Sequence, residues 1–268
     1  MKLEFYQPQS ELLKKYMQGY YFISSGLVSN QLSYYTFPNN YFIISVNLGA
    51  EIYMNKNEIL VSRADHDVVT ADFVTYYNSP LKVLYKDLVP EITFYFKPTG
   101  INHFITNAHS LVKQTYGLHF NPYPDFYPTM KGIFAMEDRV LQISTLEKYW
   151  IEKFSQKNTE LLEAVIADLE SDLTISQIAL KHNFSRQYLN SMFVKNIGKS
   201  PSEYRKIYRF RMAVSKRRDI KKLTDLTYES MFFDQSHMIK DFKKITSLSP
   251  SLFFKNVDTN KENIWLFI

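Results

Sequence analysis

The chain contains no cysteine, which removes disulfides, thiolate metal sites and cysteine nucleophiles together and fits a reducing cytoplasm. Glycine is scarce: there are seven, none arranged as G-x-x-x-x-G-K, so no phosphate-cradling loop is expected. The six histidines, His66, His103 and His109 among them, show no H-x-H or H-E-x-x-H spacing, and neither a metal nor another cofactor is expected. Nowhere do 18 apolar residues run uninterrupted, and the opening MKLEFYQPQSELLKKY has no apolar stretch of signal-peptide length. A soluble, cytoplasmic protein without a membrane partner is the expectation.

Hydrophobic residues make up 45% of the 268 positions, enough for one large or two ordinary domains with real cores. The net charge of +5 matters less than its distribution. From Lys181 to Lys255 there are 17 Lys and Arg against 6 Asp and Glu, net +11, while the remainder is net −6. Positive charge concentrated in one segment points to a polyanionic partner.

Two periodicities divide the chain. Between residues 41 and 100, YFIISVNL, EIYM, EILVS, LKVLY and EITFYF are short runs rich in Ile, Val, Tyr and Phe, separated by Gly, Asn, Asp and Pro, and read as strands. INHFITNAHSLVKQ (101–114) reads as helical, and a Pro-marked loop, NPYPDFYP, precedes a helical stretch from Met136 to Phe154. Tyrosine and phenylalanine are abundant, 20 and 21; Tyr76, Tyr77 and the Phe94-Tyr95-Phe96 run are expected to pack rather than to line a pocket, because alternation along a strand accounts for them. Arg63-Ala64-Asp65-His66-Asp67 reads as a charged hairpin between strands rather than an acid-base site. SQKNT (155–159) is a polar joint, beyond which the pattern is helical nearly to the end with no comparable strand-like run.

That second half contains a repeat. FSRQYLNSMFVKNIGKSP (184–201) lies over FDQSHMIKDFKKITSLSP (233–250) at an offset of 49 without a gap, matching Phe184 to Phe233, Leu189 to Met238, Phe193 to Phe242 and Lys195 to Lys244. Each copy opens on a helix N-cap, Ser185 or Asp234. Each then sets polar or long side chains outward at i, i+1, i+4 and i+5. The expected DNA contacts are Arg186, Gln187, Asn190, Ser191 and Lys195 in the first copy and Gln235, Ser236, Ile239, Lys240 and Lys243 in the second, most of them able to reach base edges or phosphates. Upstream, Thr174 to Gln177 fits a capping box followed by a short helix and a tight turn, the pattern of a helix-turn-helix. LTDLTYESMF repeats it less cleanly. Between the copies, Ser200-Pro201-Ser202-Glu203 caps a helix of about 18 residues, roughly 27 Å long, so two recognition helices can sit about one DNA turn apart. Tyr204, Ile207, Tyr208 and Met212 are expected to face both motifs, and Arg205, Lys206, Arg209 and Lys216 to Arg218 to face out. Lys206 is the linker residue expected on phosphate; Arg209 has a competing structural reading.

The pattern Ala179, Ser185, Leu189, Phe193, Gly198, Ser200, Pro201 and Tyr204, followed by RFRMA (209–213) and F-x-D-Q-S-H (232–237), resembles the AraC/XylS family of bacterial transcription regulators. The resemblance covers about residues 160 to 257. It implies a double helix-turn-helix unit whose third and sixth helices enter the major groove of promoter DNA, and RNA polymerase as a partner. FPNNYFIISVNLG (37–49) and EITFYFKPTGINHF (91–104) are similar to segments of the family's N-terminal sensor or dimerisation domain, which implies a small-molecule effector or a homodimer. The expected architecture is α+β in two domains: a β-rich, barrel- or cupin-like regulatory domain with helices over 1–156, an all-α DNA-binding domain over 157–258, and a tail over 259–268.

Three residues depart from the family pattern: Met231 and Ser247 stand where glycine is usual, and Thr227 where a small alanine is usual. A side chain in a left-handed turn costs roughly 1 kcal/mol, so the second motif is expected to dock less firmly than the first. The expected function is a non-enzymatic, sequence-specific regulator. A non-specific architectural DNA-binding protein is the alternative, and a cupin-like enzyme with a helical accessory module is a more distant one, since it needs a metal triad the sequence lacks. A DNA-repair alkyl acceptor requires cysteine and is excluded.

Overall fold

The structure, a computed structural model, describes residues 2–24, 32–106, 108–112, 114, 116–257 and 266–267. Strands β1 (Lys2–Tyr6), β2 (Met17–Ser24), β3 (Leu32–Thr36), β4 (Phe42–Leu48), β5 (Ala50–Asn55), β6 (Glu58–Arg63), β7 (Val69–Val74), β8 (Leu81–Tyr85), β9 (Glu91–Phe96) and β10 (Tyr116–Leu118) occupy the first half, with β11 (Leu266–Phe267) near the end. They form two sheets, ordered β1-β2-β9-β4-β7-β10 and β11-β3-β8-β6-β5. All pairs are antiparallel except β6 with β8. Period-two alternation gives the first sheet two apolar faces. Tyr21, Ile43, Val74 and Tyr95 face the second sheet and meet Val61, Val83 and Tyr85. Phe22, Ile44, Phe73, Phe94 and Phe96 face the helices.

Those helices are α1 (Glu11–Tyr16), α2 (Ala108–Leu111), α3 (Phe126–Phe134) and α4 (Arg139–Glu152). Trp150 of α4 is buried with Phe94, Phe96 and Phe104 edge-on around it. Glu147 pins α4 to the chain start by accepting from the Gln9 and Ser10 amides and the Tyr20 hydroxyl. Several expectations are corrected here. Residues 101–114 hold no continuous helix; a 3-10 turn (Gly100–His103) and the four-residue α2 replace it. α3 begins inside the proline-marked loop, with Pro128 in its first turn, where a missing N–H costs nothing. The 63–67 run is a crossover between sheets rather than a hairpin, since β6 and β7 lie in different sheets. The second half is not free of strand either, because Leu266 and Phe267 pair with Thr36 and Tyr35; the remainder of the 259–268 tail lies outside the described residues.

The joint at 155–159 is held down. His103 Nδ1 accepts from the Lys157 amide at 3.2 Å and its Nε2 lies 3.2 Å from Thr159 Oγ1, so the imidazole is neutral in this arrangement. Beyond it run α5 (Glu160–Leu169), α6 (Ile175–Lys181), α7 (Arg186–Ile197), α8 (Pro201–Lys216), α9 (Leu223–Glu229), α10 (Gln235–Thr246) and α11 (Pro250–Asn256). Among the described residues, no helix is long and apolar enough to cross a membrane. α8, 16 residues and about 24 Å long, serves two cores. Tyr204 packs with Val165, Leu169, Ile178, Leu189 and Phe193, while Phe210, Ala213 and Val214 pack with Leu226, Met238, Phe242 and Phe253.

The two domains meet along α8 and the segment before it. Arg211, buried, donates Nε to the Pro38 carbonyl at 2.9 Å and Nη2 to the Phe37 carbonyl. Phe37 itself enters the second helical core, edge-on to Phe253 at 5.1 Å. Lys199, 2% exposed, donates to the Asn39 carbonyl at 3.0 Å and lies over the Tyr76 ring. The Tyr76 hydroxyl donates to Glu203 at 2.7 Å, and Asn40 Nδ2 donates to the Tyr204 carbonyl at 3.1 Å. Gly198 closes α7 at φ 79°, and a Cβ there would stand 2.7 Å from the Val112 carbonyl of the N-terminal domain.

Two predictions come from this seam. Gly198→Ala combines left-handed strain with a backbone clash and should cost roughly 2 to 4 kcal/mol, whereas exposed Ser247→Gly at φ 63° should gain roughly 0.5 to 1 kcal/mol, both read from denaturant midpoints. Burial strips the Lys199 ammonium of water and lowers its pKa from the ordinary 10.5 to about 7, with Glu203 opposing. Between those values the unfolded chain holds a proton that the folded chain has released, so stability should rise with pH across that window, by at most about 1.4 kcal/mol per unit. Lys199→Met should flatten that rise in midpoints measured at pH 7, 8 and 9; an unchanged slope would contradict the assignment.

Candidate nucleic-acid interface

The first motif is built by local signals that agree. Thr174 Oγ1 accepts from the Gln177 amide while the Gln177 side chain accepts from the Thr174 amide, a reciprocal box that starts α6. Ile178 and Ala179 turn inward, and the chain reverses at Asn183, whose φ of 57° suits an asparagine. Ser185 then caps α7 by accepting from the Tyr188 amide at 3.1 Å. With Leu189, Phe193 and Ile197 buried, the 3.6-residue period leaves Arg186, Gln187, Asn190, Ser191 and Lys195 exposed on one side.

α9 and α10 repeat this build with one change. Ile178 and Leu226 correspond at an offset of 48, whereas Leu189 and Met238 correspond at 49, so the second turn is one residue longer. The left-handed position is Met231 at φ 62°, and the Phe232 amide donates to the Thr227 carbonyl as the Phe184 amide does to Ala179. Phe232 therefore takes the inward role, 3% exposed, and Phe233, which the repeat matches to Phe184, stands 84% exposed. Asp234 caps α10 by accepting from the His237 amide at 2.7 Å. Met238, Phe242 and Ile245 are buried, and Gln235, Ser236, Ile239, Lys240 and Lys243 are exposed. Gln235 Nε2 is held by Thr224 Oγ1 at 2.7 Å.

Ten of the eleven expected contact residues thus lie exposed on α7 and α10. Lys206 is placed differently: half-buried, it lines a cleft between the domains with Pro38, Tyr76, Glu203 and Lys244. Arg205 and Arg209 do not project freely as expected. Arg205 Nε donates to the last-turn carbonyl of Leu169, and Arg209 pairs with buried Asp241 at 2.9 Å while lying 3.1 Å from His237 Nε2, the structural one of its two readings. Lys216 is tied to Glu229 and Arg217 to the Ile220 and Lys221 carbonyls. No ion pair among the described residues engages Arg186, Lys195, Lys240, Lys243 or Lys244.

Two exposed aromatic side chains adjoin this surface without having been singled out: Tyr188, half exposed on α7, and Phe233 at the start of α10. The signal for the second was the Phe232-Phe233 doublet opposite a single Phe184, which marks the extra turn residue. Tyr188 carried none, because its ring packs at 4.8 Å on Phe184 and reads as core.

A family model described as a helix-turn-helix domain matches residues 181–256. YtdP, an uncharacterized HTH-type transcriptional regulator of Bacillus subtilis (strain 168), is 27% identical over 99 residues, 37% of this chain; the match spans only 13% of that relative's length. Among solved structures, ToxT from Vibrio cholerae is similar over 88% of this chain and 96% of its own, at 12% identity and a TM-score of 0.46. Wild-type ToxT of strain SCE256 with an unsaturated fatty acid bound is similar over 86% and 96%, at 14% identity and a TM-score of 0.46. Residues 181–256, which run from the end of α6 through α11, are therefore similar to a helix-turn-helix domain.

Proposed function

We propose that the protein is a sequence-specific DNA-binding regulator of transcription, with a β-rich N-terminal domain that adjusts its occupancy of DNA by holding a small molecule or by self-association. The observation that carries this reading is the duplicated surface: two capped helices, each burying an apolar stripe and each leaving the same polar positions exposed. Asn190 and Gln187 have the donor and acceptor pairs that read adenine edges, Arg186 suits guanine or phosphate, and Ile239 suits a thymine methyl. Lys195, Lys240 and Lys243 displace counterions from the backbone without reading sequence. RNA polymerase and a second copy of the chain are the further partners this reading brings with it.

Selection from random-sequence duplexes tests the reading. A recovered consensus supports a sequence-specific regulator, and affinity without a consensus would favour an architectural protein. Asn190→Ala should cost roughly 1 to 3 kcal/mol of discrimination between the consensus and its mismatches. Lys195→Ala should instead weaken binding to all sequences alike and lower the salt slope by about one. Equal losses on specific and random DNA for both variants would count against the assignment.

A further inference from the structure

Between the two sheets lies a cavity of about 60 Å³, room for roughly four to six water-sized groups. Its walls are mostly aliphatic and tyrosyl, but one face is not. Ser45, Asn47, Asp72, Glu91 and Thr93 all point inward from the first sheet, and the strand register sets them together: Ser45 opposes both Asp72 and Thr93, and Asn47 opposes Glu91. All but Ser45 are 4% exposed or less. Polar groups buried this deeply are destabilising unless something satisfies them.

Glu91 is satisfied, accepting from the Tyr21 and Tyr85 hydroxyls at 2.8 and 2.5 Å, with Thr93 Oγ1 at 2.6 Å. Two of its neighbours are not. Asn47 Oδ1, in a side chain 1% exposed, has no hydrogen-bond partner, and no hydrogen bond reaches the Asp72 carboxyl among the described residues. Asn47 Oδ1 is thus an acceptor without a donor, and burial together with the neighbouring Glu91 pushes the Asp72 carboxyl well above the usual carboxylate range, a cost that a cation beside it would offset; no Lys, Arg or His is among the cavity's lining residues. Tyr34 and Tyr77 also line the cavity, and tyrosine rings attract cations.

We infer that this cavity is a binding site for a small organic cation, a primary amine or guanidine of roughly four to six non-hydrogen atoms, whose N–H groups meet Asp72, Asn47 and Glu91 and whose apolar part meets the tyrosine walls. An anion of the same size would face two carboxyls with no countercharge. The site also has a route outward. Tyr77, in the cavity wall, donates its hydroxyl to the Phe37 carbonyl at 2.8 Å, the same carbonyl that receives Arg211 of α8. Cation binding that moves Tyr77 would alter the contact that seats the N-terminal domain on the shared helix. This regulatory role rests on the reading of the chain as a DNA-binding regulator; the binding site itself does not.

The test uses the full chain with n-butylamine and methylguanidine as probes, and butyrate and 1-butanol as controls of matching size, followed by titration calorimetry and thermal unfolding. A dose-dependent rise in melting temperature with either cation, and none with butyrate, is the expected result. Asp72→Asn should weaken cation binding about tenfold or more by removing a charge-assisted hydrogen bond at constant volume. No response to either cation, or an equal response to butyrate or butanol, overturns the site, and this wild-type comparison decides even where a variant does not fold. Retention of a selected DNA duplex, measured in parallel, separates the two readings: DNA retained without cation binding refutes the site alone, and cation binding by a chain that retains no DNA leaves the site standing and refutes the regulator. The relay predicts that the cation changes DNA retention and that Tyr77→Phe abolishes this effect while still binding the cation; an undiminished effect in that variant overturns the relay.

Discussion

A buried guanidinium needs acceptors for its N–H groups, and two that Arg211 finds are backbone carbonyls of the other domain. Lys199 repeats the arrangement on the Asn39 carbonyl. These two side chains stand just before and in the middle of α8, the helix that also supplies Tyr204 to one helix-turn-helix core and Phe210 to the other. The same 16 residues therefore fix how the two motifs sit on each other and how the N-terminal domain sits on both. Segment 37–41 completes the joint by placing Phe37 in the second core, so motion at this seam cannot be confined to one domain.

This use of cations changes what the basic segment's charge means. Its net +11 points to a polyanionic partner, but Lys199, Arg205, Arg209 and Arg211 serve buried or half-buried structural contacts, and Lys216 and Arg217 are tied to neighbouring groups. Of the others, Arg186 and Lys195 are exposed on α7 and Lys240, Lys243 and Lys244 on α10, while Lys221, Lys222 and Lys255 are exposed away from those two helices. Charge composition gives the sign of a partner; burial decides which charges can meet it.

The helical half was legible because its signals are local. Capping boxes at Thr174 and Ser200, N-caps at Ser185 and Asp234 and a 3.6-residue apolar period all act within a few residues, and each formed where the pattern put it. In the N-terminal domain the legible strands were uninterrupted runs of Ile, Val, Leu, Tyr and Phe, whether alternating in burial as in EIYM and LKVLY or buried on both faces as in EITFYF. β1, β2, β3, β7 and β10 went unmarked because Gly19, Asp72 and runs of tyrosine and serine interrupt the pattern, and they are held as strands by pairing with distant partners. For the same reason the inward carboxyls of Asp72 and Glu91 were invisible: their burial depends on the closure of two sheets whose strands are far apart in sequence.

The second motif shows how departures from a pattern can be absorbed without abandoning the geometry. Met231 and Ser247 keep the left-handed backbone that glycine would adopt more cheaply, at φ 62° and 63°, so strain is retained rather than relieved by a reshaped turn. Thr227, wholly buried where two helices meet, removes the usual penalty of a buried hydroxyl by donating to the Leu223 carbonyl at 2.7 Å, and its Oγ1 lies 3.2 Å from Met238 Sδ. The larger side chain is matched by an unbranched, polarizable one opposite, where the first motif sets Ala179 against Leu189. The extra turn residue, Phe233, is turned out to solvent. Each change is thus contained within the turn or the small core behind it, and the exposed positions of α10 keep the spacing they have in α7.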